Sequence, residues 1–188
     1  MARSHSLPTP AQTLLLEANG WVPNNPRLPV LVYPKAIAVD GSDPAALFEK
    51  TFRANGWPPQ WRYGIYDFHH YHTKGHEVLG IASGHARLML GGPDGHVLDV
   101  SAGDVVLLPA GTGHCNLDSS NDFLVVGAYP PGQHADICRE APSAEQQASI
   151  DRLPFPERDP VQGEDGAVSQ HWADCLNEQR TFQKTRDT

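Results

Sequence analysis

The sequence is poor in cysteine, in basic residues and in long apolar runs, and each shortage excludes a class of protein. Three cysteines among 188 residues are odd in number and widely spaced, which indicates reduced thiols rather than a disulfide framework. Fourteen basic residues stand against twenty-two acidic ones, and the formal net charge is −8. Because no broad cationic surface results, we expect no nucleic-acid partner.

Apolar residues occur only in short stretches. No run approaches the roughly 18 residues that a membrane-spanning helix requires, and segment 1–9 lacks the apolar region of a secretory signal. We therefore expect a cytoplasmic protein with no membrane partner. At 188 residues, of which 39% are hydrophobic, the chain is long enough for one domain with a sizeable core.

The middle of the chain alternates between short apolar segments and turn residues. From residue 65 to residue 129 these segments follow one another at hairpin spacing, with glycine-rich turns between them. Two of them, Val78–Ala82 and Val105–Leu108, are apolar throughout and predict buried strands. The pattern is typical of an all-β domain.

Short elements are predicted on both sides of this region. Segment Thr13–Glu17 is interpreted as a strand, although residues 9–12 also have the form of a helix capping box. Residues 31–33 and 37–39 predict one strand, interrupted by Pro34 and therefore close to a sheet edge. The N-terminal strand and its loop occupy residues 10–27.

Helix signals occur at two places. Asp43-Pro44 is typical of a helix start and Asn55-Gly56 of a helix end, so we expect a helix between them on the outside of the β structure. Residues 144–152 predict a second helix because Ser143 begins a capping box. Residues 153–156 are expected to lie extended over the barrel.

Two stretches carry histidines and a carboxylate at the spacing of a single metal cage. His70 and His72 are separated by one residue, so on a strand their side chains point to the same face, and Glu77 opens the returning strand opposite them. His114 follows a second turn motif and supplies a third imidazole. These four side chains, the metal cage, would hold one divalent ion and leave coordination positions for a substrate. The donor set is compatible with Fe, Mn, Ni, Zn or Cu.

Other residues near the motifs have alternative interpretations. His69 and His76 are placed outside the cage, although a register slip would turn His69 inward and either residue would serve as a hydrogen-bond partner of a ligand. Counting back by twos from His70 predicts that, if no bulge intervenes, Tyr66 and Arg62 face the cavity and bind the substrate. The alternative for Arg62, at the end of the strand, is a solvated side chain.

These motifs resemble those of a known family. Both stretches match the two signature motifs of the cupin superfamily, and segments 56–57, 67–72 and 127–130 are similar to those of the small bacterial cupins of the YjlB type. The resemblance covers about residues 20–135. The sequence departs from the second motif at Asp118, where the family usually has asparagine.

The resemblance implies both a fold and a ligand set. The fold is a single-domain jelly roll over residues 1–188, a double-stranded antiparallel β-barrel with a few short peripheral helices. The barrel spans about residues 28–130, and a C-terminal extension follows at 131–188, with a mobile tail after about residue 177. The implied metal ligands are His70, His72, Glu77 and His114.

The function implied is that of a divalent-metal-binding protein acting on a small molecule. Cupins of this kind are often dioxygenases or isomerases. The alternative is a non-catalytic module that binds or senses a small ligand around a structural metal. An acid or base within reach of the open coordination positions would favour the enzyme. A homodimer is also expected, because an N-terminal edge strand allows pairing across a two-fold axis.

Overall fold

The computed structural model describes residues 9–175 and 177–178. Within them, the strands are β1 (Gln12–Leu14), β2 (Val30–Tyr33), β3 (Pro59–Tyr63), β4 (Glu77–Ser83), β5 (His85–Leu90), β6 (His96–Ser101), β7 (Val105–Leu108), β8 (His114–Ser119) and β9 (Leu124–Ala128). The helices are α1 (Pro44–Ala54), α2 (Ala144–Arg152) and α3 (Ala167–His171). The predicted tail after residue 177 lies, apart from residues 177 and 178, outside the described residues.

The strands form two antiparallel sheets around a shared apolar core. One sheet has the order β1-β2-β7-β4-β9-β3 and the other the order β6-β5-β8. Strand β5 buries every second residue, and these side chains, Ala86, Leu88 and Leu90, pack with Leu79 and Val106 of the larger sheet. The predicted all-β jelly roll is thus confirmed.

The larger sheet is covered on its other face as well. Helix α1 lies against β4, where Phe48 packs so closely on Gly80 that a Cβ there would come within 2.3 Å of the ring. Phe155 and Trp172 of the C-terminal extension join the same cluster. Burial on both faces explains why β7 and the middle of β4, residues 78–82, are apolar without the alternation of a half-exposed strand.

The extension is held to the barrel by a buried carboxylate. Asp159 is fully buried and accepts hydrogen bonds from the Tyr33 hydroxyl at 2.6 Å and from the Val168 amide at 3.1 Å. It also accepts from the amides of Val161 and Gln162, both at 2.8 Å. This one side chain therefore fixes the loop before α3 to strand β2.

Most predicted elements are confirmed, and three are corrected. Helices α1 and α2 begin at the predicted caps, Asp43 and Ser143. Residues 37–39 are not a strand, and the N-terminal strand is shorter than expected. Residues 64–72 do not form the expected continuous strand; only isolated bridges occur there.

Two further observations concern the cysteines and the membrane-spanning character of the helices. Cys115, Cys138 and Cys175 are all free thiols. None of the helices in the described part of the chain has the length and apolar character needed to cross a bilayer.

Candidate metal centre

Four side chains from different parts of the chain converge at one end of the barrel. The His70 amide donates to the His114 carbonyl at 3.2 Å, and the His114 amide donates to the His70 carbonyl at 2.9 Å. This antiparallel bridge brings their rings to a centroid distance of 4.1 Å. His72 follows on the same segment, and Glu77 opens β4. None of the four is more than 4% exposed.

The distances between the donor atoms fit a shared ion. One ring nitrogen from each of His70, His72 and His114 lies within 4.8 Å of the other two. The Oε2 atom of Glu77 lies 3.3 Å from the Nε2 atoms of His72 and His114. Two ligand atoms about 2.1 Å from one ion are separated by about 3.0–3.4 Å at octahedral or tetrahedral angles. The cage thus has the dimensions of a metal site.

Backbone carbonyls fix the tautomer of all three imidazoles. The Nδ1 atoms of His70, His72 and His114 lie 2.9, 2.6 and 3.0 Å from the carbonyl oxygens of Phe68, Asp136 and Thr112. A carbonyl oxygen only accepts, so each Nδ1 carries the proton. Each Nε2 then keeps its lone pair, which is the state that a metal ligand requires.

Glu77 has one occupied and one free oxygen. Its Oε1 accepts a hydrogen bond from the Tyr129 hydroxyl at 2.5 Å, and that hydroxyl accepts one from the Trp61 indole at 2.9 Å. Its Oε2 is buried without a hydrogen-bond partner. Because a buried carboxylate oxygen without a partner is unfavourable, this atom is the strongest indication that a cation belongs in the cage.

The ionisation of the cage differs from residue to residue. Burial favours neutral His72, but the neighbouring Glu77 carboxylate outweighs burial and raises the pKa of His72. Burial is the main cause that lowers the pKa of His70, to about 3, and the neighbouring His114 adds to it. Burial opposes ionisation of Glu77, but the adjacent His72 and His114 imidazoles hold its pKa well below the usual range. Burial also raises the pKa of Tyr129, and the charge of Glu77 raises it further, so the phenol stays protonated.

The cage forms the floor of a cavity of about 360 Å³. All four ligands line it, together with Tyr129 and Trp61. The remaining walls are apolar or aromatic and include Leu79, Ile65, Tyr63, Tyr66 and Ile137. A small molecule in the cavity would therefore contact the free face of the cage.

The sequence is similar to that of a bacterial protein. Over 163 residues the chain is 34% identical to a protein of Bacillus subtilis (strain 168) named "Uncharacterized protein YjlB", a match that covers 86% of this chain and 96% of that one. The chain belongs to the YjlB family of cupins. No protein-family model matches the sequence of this YjlB-type cupin.

Solved structures show weaker likenesses to the YjlB-type cupin. A DUF861 family protein from Thermotoga maritima is 20% identical, with a TM-score of 0.29 over 48% of this chain and 96% of that one. A mutant of Bacillus subtilis oxalate decarboxylase OxdC is 20% identical, with a TM-score of 0.34 over 79% of this chain and 39% of that one. Likenesses at this level carry no argument about the chemistry of the site.

The four predicted ligands lie together in the structure, but only one of the two predicted substrate-binding residues lines the cavity. Tyr66 lines the cavity, with its ring 5.4 Å from that of His70. Arg62 forms ion pairs with Asp43 and Glu49 beside α1, at 2.9 and 2.6 Å, and does not line the cavity. The predicted inward orientation of Arg62 is wrong, because the backbone between β3 and the cage is not a strand and alternation does not carry across it.

Both other histidines near the motifs in the YjlB-type cupin lie outside the cage. His76 donates from Nε2 to the Leu153 carbonyl and accepts from the Ala110 amide, each at 2.9 Å. Its ring packs against Phe155 and Trp172, and burial lowers its pKa to about 4. It therefore joins the second motif to the C-terminal extension rather than to the cage.

His69 turns away from the cage on the opposite side of the backbone from His70. Its Nε2 lies 3.8 Å from the thiol sulfur of Cys115, the neighbour of His114. His69 thus contacts the face of β8 on which Cys115 lies, opposite to the face of His114.

Two contributors to the centre had no recognisable sequence signal. The β4–β9 pairing of Val78 with Ala128 sets Tyr129 opposite Glu77, so a prediction would have required the strand register. Asp136 lies in the extension, and its carboxylate accepts hydrogen bonds from Thr73 and Lys74 beside His72. No spacing between neighbouring residues in the sequence predicts that contact.

Proposed function

We propose that this protein is a metal-dependent enzyme that acts on a small molecule and belongs to the dioxygenase or isomerase class of cupins. The observation that carries the proposal is the shared cavity, since the free face of the cage, Tyr129 and Trp61 all line one space of about 360 Å³. Catalytic metal sites keep an open position of this kind, whereas structural sites are closed by protein ligands.

The protein groups around the cage have defined roles in this proposal. His70, His72 and His114 offer neutral Nε2 atoms, and Glu77 offers Oε2, so these residues would hold one divalent ion. A bound ion would supply Lewis acidity or, as iron or manganese, redox chemistry. Tyr129 lines the cavity, and its hydroxyl donates its proton to Glu77 Oε1, which holds the carboxylate in one orientation. Transfer of this proton to a bound substrate would make Tyr129 a general acid, and the apolar walls limit access of water.

A non-catalytic protein that binds or senses a small ligand around a structural metal is the second candidate. It is favoured by the almost complete burial of the four ligands and by the three fixed imidazole tautomers, which resemble a rigid structural site. The two candidates differ in whether the bound ion keeps an exchangeable position.

Water-proton relaxation of the Mn(II)-loaded protein tests this difference. The enzyme proposal predicts at least one rapidly exchanging water on the ion, and a structural site predicts none. Turnover is then sought with the Fe(II) form, by oxygen uptake for a dioxygenase and by deuterium incorporation for an isomerase.

The Tyr129→Phe variant separates chemistry from metal binding. Because the ring is retained and the hydroxyl is lost, we expect metal content close to that of the wild type and turnover reduced about 100-fold or more, as for loss of a general acid. Unchanged turnover in this variant would remove Tyr129 from the proposed chemistry.

A homodimer in the cytoplasm is part of the same proposal. Strand β1 lies at the edge of the larger sheet, and Leu15 beside it is 56% exposed, which supports pairing with a second copy. Sedimentation equilibrium measures the assembly, and a monomer at micromolar concentration would contradict it.

A further inference from the structure

The charge and shape of the cavity walls restrict what the site accepts. We infer that the ligand is a small compound that joins a pair of metal-binding oxygens, with no more than one negative charge, to an apolar body. This inference rests on the proposed function, because it assumes that the ligand reaches the ion.

The first argument is the charge of the cavity. Among the described residues that line it, Glu77 has the only carboxylate, and none is a lysine or an arginine. A divalent ion with one carboxylate and three neutral imidazoles has a net charge of +1, which one negative charge on the ligand would balance. A second anionic group would lie against apolar walls without a partner, at a large desolvation cost.

The side chains of Arg62 and Arg139 do not add positive charge to the cavity. Arg62 is paired with Asp43 and Glu49 beside α1. Arg139 lies over the Phe68 ring, 4.1 Å from its centroid, and is not among the residues that line the cavity. Neither guanidinium is placed to receive a second carboxylate or a phosphate within the cavity.

The second argument is the apolar surface at the cavity mouth. Tyr63, Tyr66 and Ile137 line the cavity, yet they are 67%, 44% and 46% exposed. Large apolar side chains that cluster in this way around an opening are typical of a binding surface. An apolar body on the ligand would cover them and remove that surface from water.

The Tyr66 ring is held in place for such a contact. It stacks on Phe68 with a centroid distance of 4.8 Å and meets the His70 ring nearly edge-on at 5.4 Å. A flat surface thus stands directly beside a metal ligand, so a compound bound to the ion would place its body against this ring. The cavity volume of about 360 Å³ is near the lower end for ligand sites, roughly 300–1,000 Å³, and limits that body to about one ring.

Three 2-hydroxy acids test the inference by isothermal titration of the Mn(II)-loaded protein. Lactate, mandelate and malate share one hydroxyl-carboxylate group and differ in carrying a methyl group, a phenyl ring or a second carboxylate. Burial of the ring predicts that mandelate binds about 10-fold or more tighter than lactate. Malate is expected to bind more weakly than lactate. Equal affinities for mandelate and lactate, or tightest binding of malate, would overturn the inference.

A variant and its matched control localise the effect. Tyr66→Ala should lower the affinity for mandelate about 10-fold while changing that for lactate less than 2-fold. Leu117→Ala is the control, because Leu117 is equally exposed, at 46%, but does not line the cavity; it should leave both affinities unchanged. A ring preference that survives Tyr66→Ala would contradict the assigned contact.

Failure of the inference and failure of the proposed function give different results. Metal content is measured first, and titrations are repeated on metal-free protein, which should bind none of the three acids. If the loaded protein binds lactate but shows no preference for mandelate, only the substrate class is wrong. If it binds none of them and its ion has no exchangeable water, the open metal position and the inference both fall.

Discussion

Replacement of Asp136 should weaken metal binding although this residue does not touch the ion. Its backbone carbonyl accepts from His72 Nδ1 at 2.6 Å, and its carboxylate accepts from the Thr73 amide at 2.7 Å, the Thr73 hydroxyl at 2.5 Å and the Lys74 amide at 3.1 Å. Burial favours protonation of Asp136, but these hydrogen bonds keep its pKa below the usual range. The carboxylate thus ties the extension to the backbone next to His72.

The magnitude follows from the contacts that would be lost. Asp136→Ala removes four hydrogen bonds to a charged acceptor, including one from the Cys138 thiol. It also leaves Thr73, which is only 1% exposed, without partners for its amide and hydroxyl. We expect a loss of about 2–4 kcal/mol in the free energy of unfolding of the metal-free protein. The Asp136 carbonyl is then no longer held against His72 Nδ1. Metal affinity should therefore fall 10- to 100-fold, or about 1.4–2.7 kcal/mol.

Competition titration with a chromophoric chelator measures the affinity, and urea unfolding of the metal-free protein measures the stability. Asp136→Asn keeps one acceptor oxygen and should lie between wild type and Asp136→Ala in both measurements. Asp118→Asn, an exposed carboxylate on β8, is the control that should change neither. Wild-type metal affinity in Asp136→Ala would refute the argument that the extension positions His72.

Three further predictions concern stability. Burial lowers the pKa of His76 from 6.5 to about 4. The contribution of neutral His76 to folding is therefore complete above pH 6.5 and is lost as the pH falls towards 4, up to about 3 kcal/mol. Urea unfolding of metal-free protein measures this loss, which should be absent in His76→Gln. Asp159→Ala should cost about 3–5 kcal/mol by the same assay, because the Tyr33 hydroxyl, the buried Val168 amide and two partly buried amides lose their acceptor. A loss below about 1 kcal/mol would contradict that role. Chelation should lower the unfolding free energy by about 2.7 kcal/mol relative to protein in metal at 100 times its Kd, and equal calorimetric transitions would show that no ion binds the folded state.

The four residues of the cage could be predicted because their sequence pattern is local. The spacing of His70, His72 and Glu77 within eight residues, and the turn before His114, give a distinctive pattern without knowledge of any strand pairing. The helix caps at Asp43 and Ser143 are local in the same sense, and both are confirmed. Features that depend on a few neighbouring residues are those that a sequence reveals.

The remaining parts of the site depend on contacts between distant segments. Tyr129 reaches Glu77 only through the register of β4 and β9, and Asp136 reaches His72 across 64 residues of chain. The misplacement of Arg62 has a related cause, because the two-residue alternation was extended through residues 64–69, which form no strand. A rule that holds within one element fails where that element ends.

Elemental analysis of purified protein, with a matched pair of histidine variants, decides whether the cage binds a metal ion. We expect about one divalent ion per chain in the wild type and in His69→Ala, and far less than one in His72→Ala, because His72 belongs to the cage and His69 faces Cys115. Circular dichroism would establish that both variants are folded. Full metal content in a folded His72→Ala protein, or loss of metal in His69→Ala, would contradict the assignment of the cage.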